Sequence, residues 1–288
     1  MYRGVWFGSA LVLCLILIGC SKSPSETSQV KQLRFAVLPD QAPDALKARY
    51  TGLLDYLSKE TGIRCELVLT NDYQDLLERF HTKQIDVARF GGFSFVKARA
   101  QDGAIPLVMR DVDTRFVSYF LVTGNSAAKS VQEFKGRSFG FGSRLSTSGH
   151  LMPRYFLQQD GIKPEEFFSE VHYSGAHDRT AEWVAQGKVD VGVANAVVVD
   201  RLYAQGKLTQ EQVRVLWRTP PYANYVWATR RDTPDAVRSR LLNAFLKLST
   251  DTPEMAAILK AVGAQYFLPA TVDDFAAIER SARSLDML

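Results

Sequence analysis

The sequence predicts an α/β protein of two lobes, with the second lobe inserted into the first. Three observations lead to this prediction: strand and helix signals alternate from residue 33 to residue 110, they start again after a long apolar stretch at residues 116–124, and the chain ends in helical patterns only. Such alternation is typical of right-handed β-α-β units. Each lobe is therefore predicted to hold a mostly parallel sheet flanked by helices.

In the first lobe, four apolar runs are predicted strands, separated by helical patterns. A first helix carries Leu46, Tyr50 and Leu53 at helical spacing and is expected to stop at Gly62. Asp72 is predicted to cap a second helix, and a third, short helix is predicted at residues 94–101. The strands are expected at residues 33–39, 65–69, 86–90 and 106–110.

The second lobe repeats the pattern. Helices are predicted to open at residues 146–148, to span residues 178–186, and to end near Gly206. The last part of the chain is predicted to be entirely helical. The strands are expected at residues 137–142, 170–175 and 189–194, two extended segments at 213–220 and 225–229, and the final helices at 234–248, 253–262 and 272–285.

Two extended crossings, near residues 118–124 and 217–228, are predicted to join the lobes. On this interpretation the first lobe comprises residues 33–118 plus 227–288, and the second comprises residues 119–226. A cleft between two such lobes is a natural ligand site.

Composition and charge narrow the function classes. The 288 residues are 46% hydrophobic and 23% charged, which is typical of a folded globular protein rather than a disordered one. A net charge of +4 favours anionic ligands slightly but is no signature of nucleic-acid binding. Cys65 is the only cysteine expected in the folded part, so no internal disulfide is predicted there. We interpret it as a buried thiol on a strand.

The N-terminus is typical of a lipoprotein signal peptide. Arg3 precedes an apolar stretch at residues 5–18, and Gly19 stands directly before Cys20. We expect residues 1–19 to be removed, Cys20 to be lipidated, and residues 20–32 to form a polar tether. The alternative is an uncleaved N-terminal anchor. Either way, the sequence predicts a domain held at a membrane surface, in the periplasm or on the cell surface.

A group of hydroxyl side chains marks the candidate site. Ser146, Thr147, Ser148 and Gly149 follow a glycine-containing strand and open a predicted helix. Unpaired backbone N–H groups and the helix dipole favour an anion there, and the hydroxyls add donors for a small oxyanion. The alternative interpretation is an ordinary serine or threonine helix cap.

The next strand-to-helix turn repeats this arrangement, with Asp178 as the expected helix cap and His177 as a further donor to the same anion. From the first lobe, Gly91 and Gly92 are expected to offer backbone amides to the anion. Arg89 is either a counter-charge for the anion or the partner of a structural group in the protein. Other features predict no chemistry. The remaining histidines show no metal spacing, so neither a metal nor a cofactor is expected, and the alternating charges of residues 110–115 suggest a solvated ion-pair network.

In their order along the chain, these motifs resemble the phosphate-, phosphite- and phosphonate-binding subunits of ABC importers, a branch of the type 2 periplasmic binding proteins. The resemblance covers roughly residues 33–268. It rests on the lipobox and on the segments DVARFGGFSFVKA, RFVSYFLV, GFGSRLSTSGHLMPRYFL, SGAHD and VAQGKVDVG.

The resemblance implies a two-lobed, hinge-closing, monomeric binder without catalytic activity, which serves an ABC permease and its ATPase. It implies that the hydroxyls of Ser146, Thr147 and Ser148, together with His177, hold the oxygens of the ligand. Phe90 would line the opposite wall, where some relatives carry a tyrosine, and Gly91 would close over the anion with it.

The sequence departs from the aminophosphonate-binding pattern of the family in one respect. Binders of aminoalkylphosphonates place acidic residues after the strand at 189–194 and near the second crossing, but residues 194–199 and 222–225 contain no carboxylate. A buried ammonium without one would cost several kcal/mol. The expected ligand is therefore phosphite, phosphate or methylphosphonate, with Tyr222 or Tyr225 closing the cleft.

Two other functions remain open at this stage. A hydrolase would use Ser146 or Thr147 as nucleophile and His177 as base, but the sequence lacks a G-x-S-x-G turn around a strained serine. A sensor subunit would present the same bound anion to a membrane histidine kinase. The sequence of this chain does not separate the sensor from the importer subunit.

Overall fold

The computed structural model of the chain describes residues 1, 2, 4 and 30–288. The apolar stretch of the predicted signal peptide, the predicted lipid-attachment residue Cys20 and most of the tether lie outside the described residues. In the described part of the chain, no helix has both the length and the apolar character needed to cross a membrane.

Strands and helices alternate through most of residues 30–288, as predicted. The strands are β1 (Gln32–Val37), β2 (Arg64–Val68), β3 (Val87–Phe90), β4 (Ile105–Arg110), β5 (Ser118–Thr123), β6 (Ser138–Phe141), β7 (Glu170–Tyr173), β8 (Val191–Asn195), β9 (Val213–Arg218), β10 (Val226–Thr229) and β11 (Phe267–Pro269). The helices are α1 (Pro43–Thr61), α2 (Tyr73–His81), α3 (Gly92–Asp102), α4 (Met152–Gln159), α5 (Pro164–Phe167), α6 (His177–Ala185), α7 (Ala196–Ala204), α8 (Asp235–Lys247), α9 (Pro253–Val262) and α10 (Ala276–Ser284).

The strands form two sheets, one in each lobe. The first sheet has the order β11-β4-β10-β3-β1-β2, and the second has the order β7-β6-β8-β5-β9. In the first, β1 to β4 share one direction while β10 and β11 run opposite to them. In the second, β5 alone runs opposite to the other strands. The prediction of two α/β lobes is confirmed.

Both sheets are mixed, but most strands of each sheet share one direction, as predicted. The cause is the pair of crossings. β5 and β10 each follow a segment that comes from the other lobe, so each strand starts at the cleft, where the parallel strands of its sheet end. It must therefore run antiparallel to them.

The prediction that the C-terminal part is entirely helical is wrong, because β11 pairs antiparallel with β4 at the sheet edge. Its three residues are too few for a periodic pattern.

The predicted helix signals act where they were expected in the first lobe. Gly62 ends α1 in the left-handed conformation, at φ 67°. The Asp72 side chain caps α2 by accepting from the backbone N–H of Asp75 at 2.8 Å. Cys65 is a buried thiol on β2, and burial raises its pKa to about 11. These local signals place both helices against the first sheet.

The crossings lie between β4 and β5 and between β9 and β10, and the backbones of Phe116 and Tyr222 pair there. The first crossing comes earlier than the predicted residues 118–124, because β5 pairs with β8 and β9 from Ser118 onward. Ser118 thus belongs to the second sheet and Val226 to the first, each one residue beyond the predicted lobe limits. One buried apolar cluster joins the lobes and contains Phe90, Leu151 and Tyr222.

Candidate functional site

The carboxyl ends of the mutually parallel strands in both sheets point toward the lobe boundary, and the starts of three helical segments meet there. Ser146 precedes a π-type turn, Thr147–Leu151, which continues as α4. His177 begins α6, and Gly92 begins α3 in the opposite lobe. Thr147 Oγ1 accepts from the backbone N–H of Phe93 at 2.8 Å, so the two lobes touch at this point. The starts of helices at strand ends are the usual place for an anion in such folds.

Two glycines allow this close approach. A Cβ on Gly91 would lie 3.0 Å from Thr147 Oγ1, and a Cβ on Gly149 would lie 2.9 Å from His177 Cε1. Side chains at either position would push the facing segments apart.

Ser146 serves as the helix cap of this turn. Its Oγ accepts from the backbone N–H of Gly149 at 2.9 Å, and the residue is 2% exposed. The capping interpretation, left open by the sequence, therefore describes Ser146 well. Ser146 also lies beside the buried Tyr73 of α2, a residue that the sequence analysis did not single out.

Ser148 differs from Ser146 and Thr147, because its Oγ is buried without a hydrogen-bond partner in residues 30–288. The position of the residue is fixed by its backbone, since its carbonyl oxygen accepts from Ser118 Oγ at 2.7 Å. Ser118 Oγ in turn lies 2.5 Å from the Tyr222 hydroxyl oxygen. The Ser148 hydroxyl is thus held in place and left available.

His177 is a buried, neutral donor. Its Nδ1 accepts from the backbone N–H of Asn195 at 3.2 Å, so the proton of the neutral ring is on Nε2. Burial lowers the pKa of His177, although the negative charges of Asp40 and Asp178 act in the opposite direction. Nε2 has no hydrogen-bond partner among the described residues.

The predicted cap of α6 is wrong. The helix starts at His177 and its cap residue is Ala176, which makes no side-chain cap, while Asp178 is already inside the helix. Asp178 Oδ1 accepts only from the backbone N–H of Arg179, its own neighbour. Starting the helix one residue earlier places the imidazole itself at the helix N-terminus.

Asn224 is a third donor, which the sequence analysis missed. Its Oδ1 accepts from the backbone N–H of Gly92 at 3.0 Å, which fixes the amide orientation. Its Nδ2 is buried, and within the described part of the chain it has no partner. The feature of the sequence that could have indicated Asn224 is its place between Tyr222 and Tyr225 in the second crossing.

Asp40 is a buried carboxylate in the same region, and it was also missed. It lies three residues after the end of β1 and is 2% exposed. Its Oδ2 accepts from the Tyr225 hydroxyl at 2.8 Å, and that hydroxyl accepts from Asn195 Nδ2 at 2.7 Å. The signal was its position at the end of a strand that leads to the cleft.

Behind Tyr225 lies a buried group of charges. The Arg89 guanidinium lies 3.8 Å from the centre of the Tyr225 ring and 3.9 Å from Asp113 Oδ2. Arg110 donates to both oxygens of Asp113, at 2.6 and 2.7 Å. The expectation of a solvated ion-pair network is wrong for these residues, because they pack under the crossing and are at most 3% exposed. Arg89 therefore has structural partners.

The remaining predicted residues fall near the site with different surroundings. Phe90 is fully buried, and its ring packs edge-to-face on Phe80. Gly91 donates its backbone N–H to Ser94 Oγ at 3.1 Å. A cleft of about 1450 Å³ opens beside the site, lined by Gln41, Arg179 and Arg201 among others. In the described residues, no cluster of three or more His, Cys, Asp or Glu side chains offers a metal site.

The chemistry of the site follows from Ser148, His177 and Asn224. They present a hydroxyl, a ring N–H and an amide N–H, each buried and unpartnered in the described residues. An unpartnered buried polar group costs about 1–3 kcal/mol, so the arrangement suits a ligand that offers several hydrogen-bond acceptors. A small tetrahedral oxyanion presents such acceptors in several directions at once.

Comparison with known proteins gives a consistent result. A sequence profile of the family described as "ABC transporter, phosphonate, periplasmic substrate-binding protein" matches residues 35–275. The probable ABC transporter phosphite binding protein PhnD1 of Prochlorococcus marinus (strain MIT 9301) is 31% identical over 290 residues, which cover 96% of this chain and 97% of that protein. The phosphate-import protein PhnD of Mycolicibacterium smegmatis is 27% identical over 255 residues, 82% of this chain and 79% of that one.

A solved structure shares the architecture. The structure of PhnD1 from Prochlorococcus marinus in complex with methylphosphonate superimposes with a TM-score of 0.85 at 30% sequence identity. The alignment covers 90% of this chain and 99% of that chain.

Proposed function

This chain belongs to the family of periplasmic substrate-binding proteins of phosphonate ABC transporters, and from that premise we propose that it captures a small phosphorus oxyanion between its lobes. The ligand class is phosphite, phosphate or an alkylphosphonate such as methylphosphonate. The protein delivers it to an ABC permease and its ATPase. The observation that carries the proposal is the set of three buried, unpartnered donors, Ser148, His177 and Asn224.

These donors would hold the ligand from the second lobe and from the crossing between the lobes. Ser148 and His177 belong to the second lobe, and Asn224 lies in the crossing, where it is tied to Gly92 of the first lobe. Ser146 shapes the turn as its cap, and Thr147 contacts the first lobe through Phe93. Charge-assisted hydrogen bonds from neutral donors are strong enough to bind an anion without a direct cation.

Closure of the lobes would enclose the ligand. Two hydrogen bonds join the lobes. Thr147 Oγ1 accepts from the backbone N–H of Phe93, and the carbonyl oxygen of Asp40 accepts from the backbone N–H of His177 at 3.3 Å. Opening about the crossings would break both and expose the donors to water. Phe90 and Gly91, at the start of α3, would form the opposite wall, and Tyr225 would stay on Asp40 as the lobes move.

The geometry of His177 argues against a hydrolase. A histidine base in a catalytic triad donates its Nδ1 proton to an orienting carboxylate. Here Nδ1 instead accepts a backbone N–H, and Ser146 Oγ accepts from Gly149. The relatives are transport proteins, and we propose that this chain binds its ligand and leaves it chemically unchanged.

The location of the protein follows in part from its family, whose members act outside the cytoplasm. We further propose that Cys20 carries the lipid anchor and that the mature chain acts as a monomer. The two lobes that move are residues 33–117 plus 226–288 and residues 118–225, each limit one residue from the predicted one. The sequence pattern at residues 3–20 supports the anchor.

Calorimetric titration of the purified protein tests the proposal. The panel is phosphite, phosphate, methylphosphonate, sulfate and 2-aminoethylphosphonate. We expect tight binding of one phosphorus oxyanion, weakened about ten- to a hundredfold in His177→Ala. His172→Ala is the control, because that histidine is 41% exposed and pairs with Glu170. Binding of none of the panel by the wild-type protein would contradict the proposed ligand class, and hydrolysis of an ester lost in Ser146→Ala would contradict the binding function.

A further inference from the structure

Asp40 is an unexpected neighbour for a site that takes an anion. It stands at the carboxyl end of β1, and its backbone carbonyl accepts from the N–H of His177. Its side chain is 2% exposed. Within residues 30–288, no lysine or arginine nitrogen lies within 4.0 Å of its carboxylate, so its charge has no direct partner.

Only part of the hydrogen-bonding capacity of the carboxylate is used. Oδ2 accepts from the Tyr225 hydroxyl at 2.8 Å, and Oδ1 accepts from Gln41 Nε2 at 3.1 Å. A carboxylate offers about four lone-pair positions, so Asp40 retains room for another donor. The Tyr225 hydroxyl cannot serve as this further donor, because its single proton is already donated to Oδ2 while its oxygen accepts from Asn195.

The surroundings keep Asp40 ionised. Burial alone would raise the pKa of its carboxyl, but Arg89 on β3, the imidazole of His177, Arg49 on α1 and the hydrogen bond from Tyr225 together outweigh burial and hold the pKa below its usual value. Both guanidinium groups act from beyond ion-pair distance. Asp40 is therefore a carboxylate, not a carboxylic acid.

Burial acts on the tyrosines and the histidine around Asp40 in the direction that keeps each of them uncharged. Burial raises the pKa values of Tyr73, on α2, and Tyr225, in the crossing, well above their usual range. His177 is neutral because burial lowers its pKa. Asp178, on α6, adds a second negative charge near the imidazole.

We propose that Asp40 selects the protonated, singly charged form of a phosphorus oxyanion by accepting the hydrogen bond of its P–OH group. A monoanion offers oxygen acceptors to Ser148, His177 and Asn224 and one O–H donor to Asp40. A dianion offers no donor and places its charge against the carboxylate. Sulfate, which carries no proton near neutral pH, is excluded for the same reason. This inference rests on the proposed function and names the charge state of its ligand.

Titrations with methylphosphonate and sulfate between pH 6 and pH 9 test the inference. The second proton of such a phosphorus oxyanion leaves near neutral pH, whereas sulfate stays a dianion throughout. In the wild-type protein, the affinity for methylphosphonate should fall about tenfold per pH unit above the second pKa of the ligand, since only the monoanion binds. Sulfate should not bind. Asp40→Asn should flatten the pH profile, and its preference for methylphosphonate over sulfate should fall at least about tenfold.

Asp44→Asn is the matched control. It removes the same charge four residues further along the chain, where the side chain is 99% exposed, and should leave the profile unchanged. Thermal unfolding of each variant without ligand checks that it is folded. Should Asp40→Asn fail to fold, the wild-type pH profile and the rejection of sulfate still decide the question.

The outcomes separate this inference from the proposed function. Equal wild-type affinity for methylphosphonate at pH 6 and pH 9, or tight binding of sulfate, overturns the role of Asp40 while the binding function stands. A preference for 2-aminoethylphosphonate that is lost in Asp40→Asn also overturns it, because the carboxylate then receives an amine. Absence of binding to any phosphorus oxyanion at every pH overturns both.

Discussion

Replacing Ser148 by alanine separates the role of this hydroxyl in ligand binding from any role in folding. In the structure, the Ser148 hydroxyl is buried and has no partner in the described residues, while the backbone carbonyl of the same residue is held by Ser118. Removing Oγ therefore breaks no hydrogen bond found among the described residues. A buried hydroxyl without a partner costs about 1–3 kcal/mol, so the stability of the ligand-free variant should be unchanged or higher.

The effect on binding should have the opposite sign. A hydrogen bond to a charged group contributes about 1.5–3 kcal/mol, so Ser148→Ala should weaken ligand binding about ten- to a hundredfold. Calorimetric titration with methylphosphonate measures the affinity, and urea unfolding without ligand measures the stability.

Ser146→Ala is the matched comparison, two residues away and equally buried. It removes the acceptor of the Gly149 N–H and should lower the free energy of unfolding by about 1 kcal/mol. Unchanged affinity of Ser148→Ala, or a loss of stability as large as that of Ser146→Ala, would refute the reasoning, because the hydroxyl would then serve the fold.

Three further changes test other parts of the site. Asn224→Asp keeps an acceptor for Gly92 but replaces the amide donor by a negative charge. Titration should show at least about a hundredfold weaker anion binding, and unchanged binding would contradict the role of Asn224. Gly149→Ala places a Cβ 2.9 Å from His177 Cε1, so thermal unfolding should show a loss of about 1–3 kcal/mol, and wild-type stability would show that the segments yield without cost. Burial lowers the pKa of His150 from 6.5 to about 4, so the unfolded chain binds the proton more readily than the folded one. The free energy of unfolding should therefore fall as the pH drops through this range. Urea unfolding should show a weaker fall in His150→Gln, and an equal fall would exclude His150 as the cause of the pH dependence.

Local sequence signals predicted most of the fold. Gly62, Asp72 and the hydroxyls at 146–148 mark helix boundaries because caps depend on nearby residues alone. The mixed character of the sheets was not predicted, because strand direction depends on the crossings and not on periodicity. β11 was missed since a three-residue strand containing Pro269 has no pattern of its own.

The site was predicted on one side only. The second lobe supplied recognisable motifs around Ser148 and His177, because both follow strand-to-helix turns. Asp40 and Asn224 come from a loop and from the crossing, where no local pattern marks a binding residue. Their roles depend on contacts between distant parts of the chain, such as the hydrogen bond between Asp40 and Tyr225, which lie 185 positions apart.

The identity of the three donors is the central claim, and a crystal structure of the complex with methylphosphonate tests it most directly. The predicted result is one phosphonate group at the lobe boundary, with its oxygens about 2.7–3.2 Å from Ser148 Oγ, His177 Nε2 and Asn224 Nδ2. A phosphonate bound elsewhere, with these three atoms still lacking partners, would contradict the account.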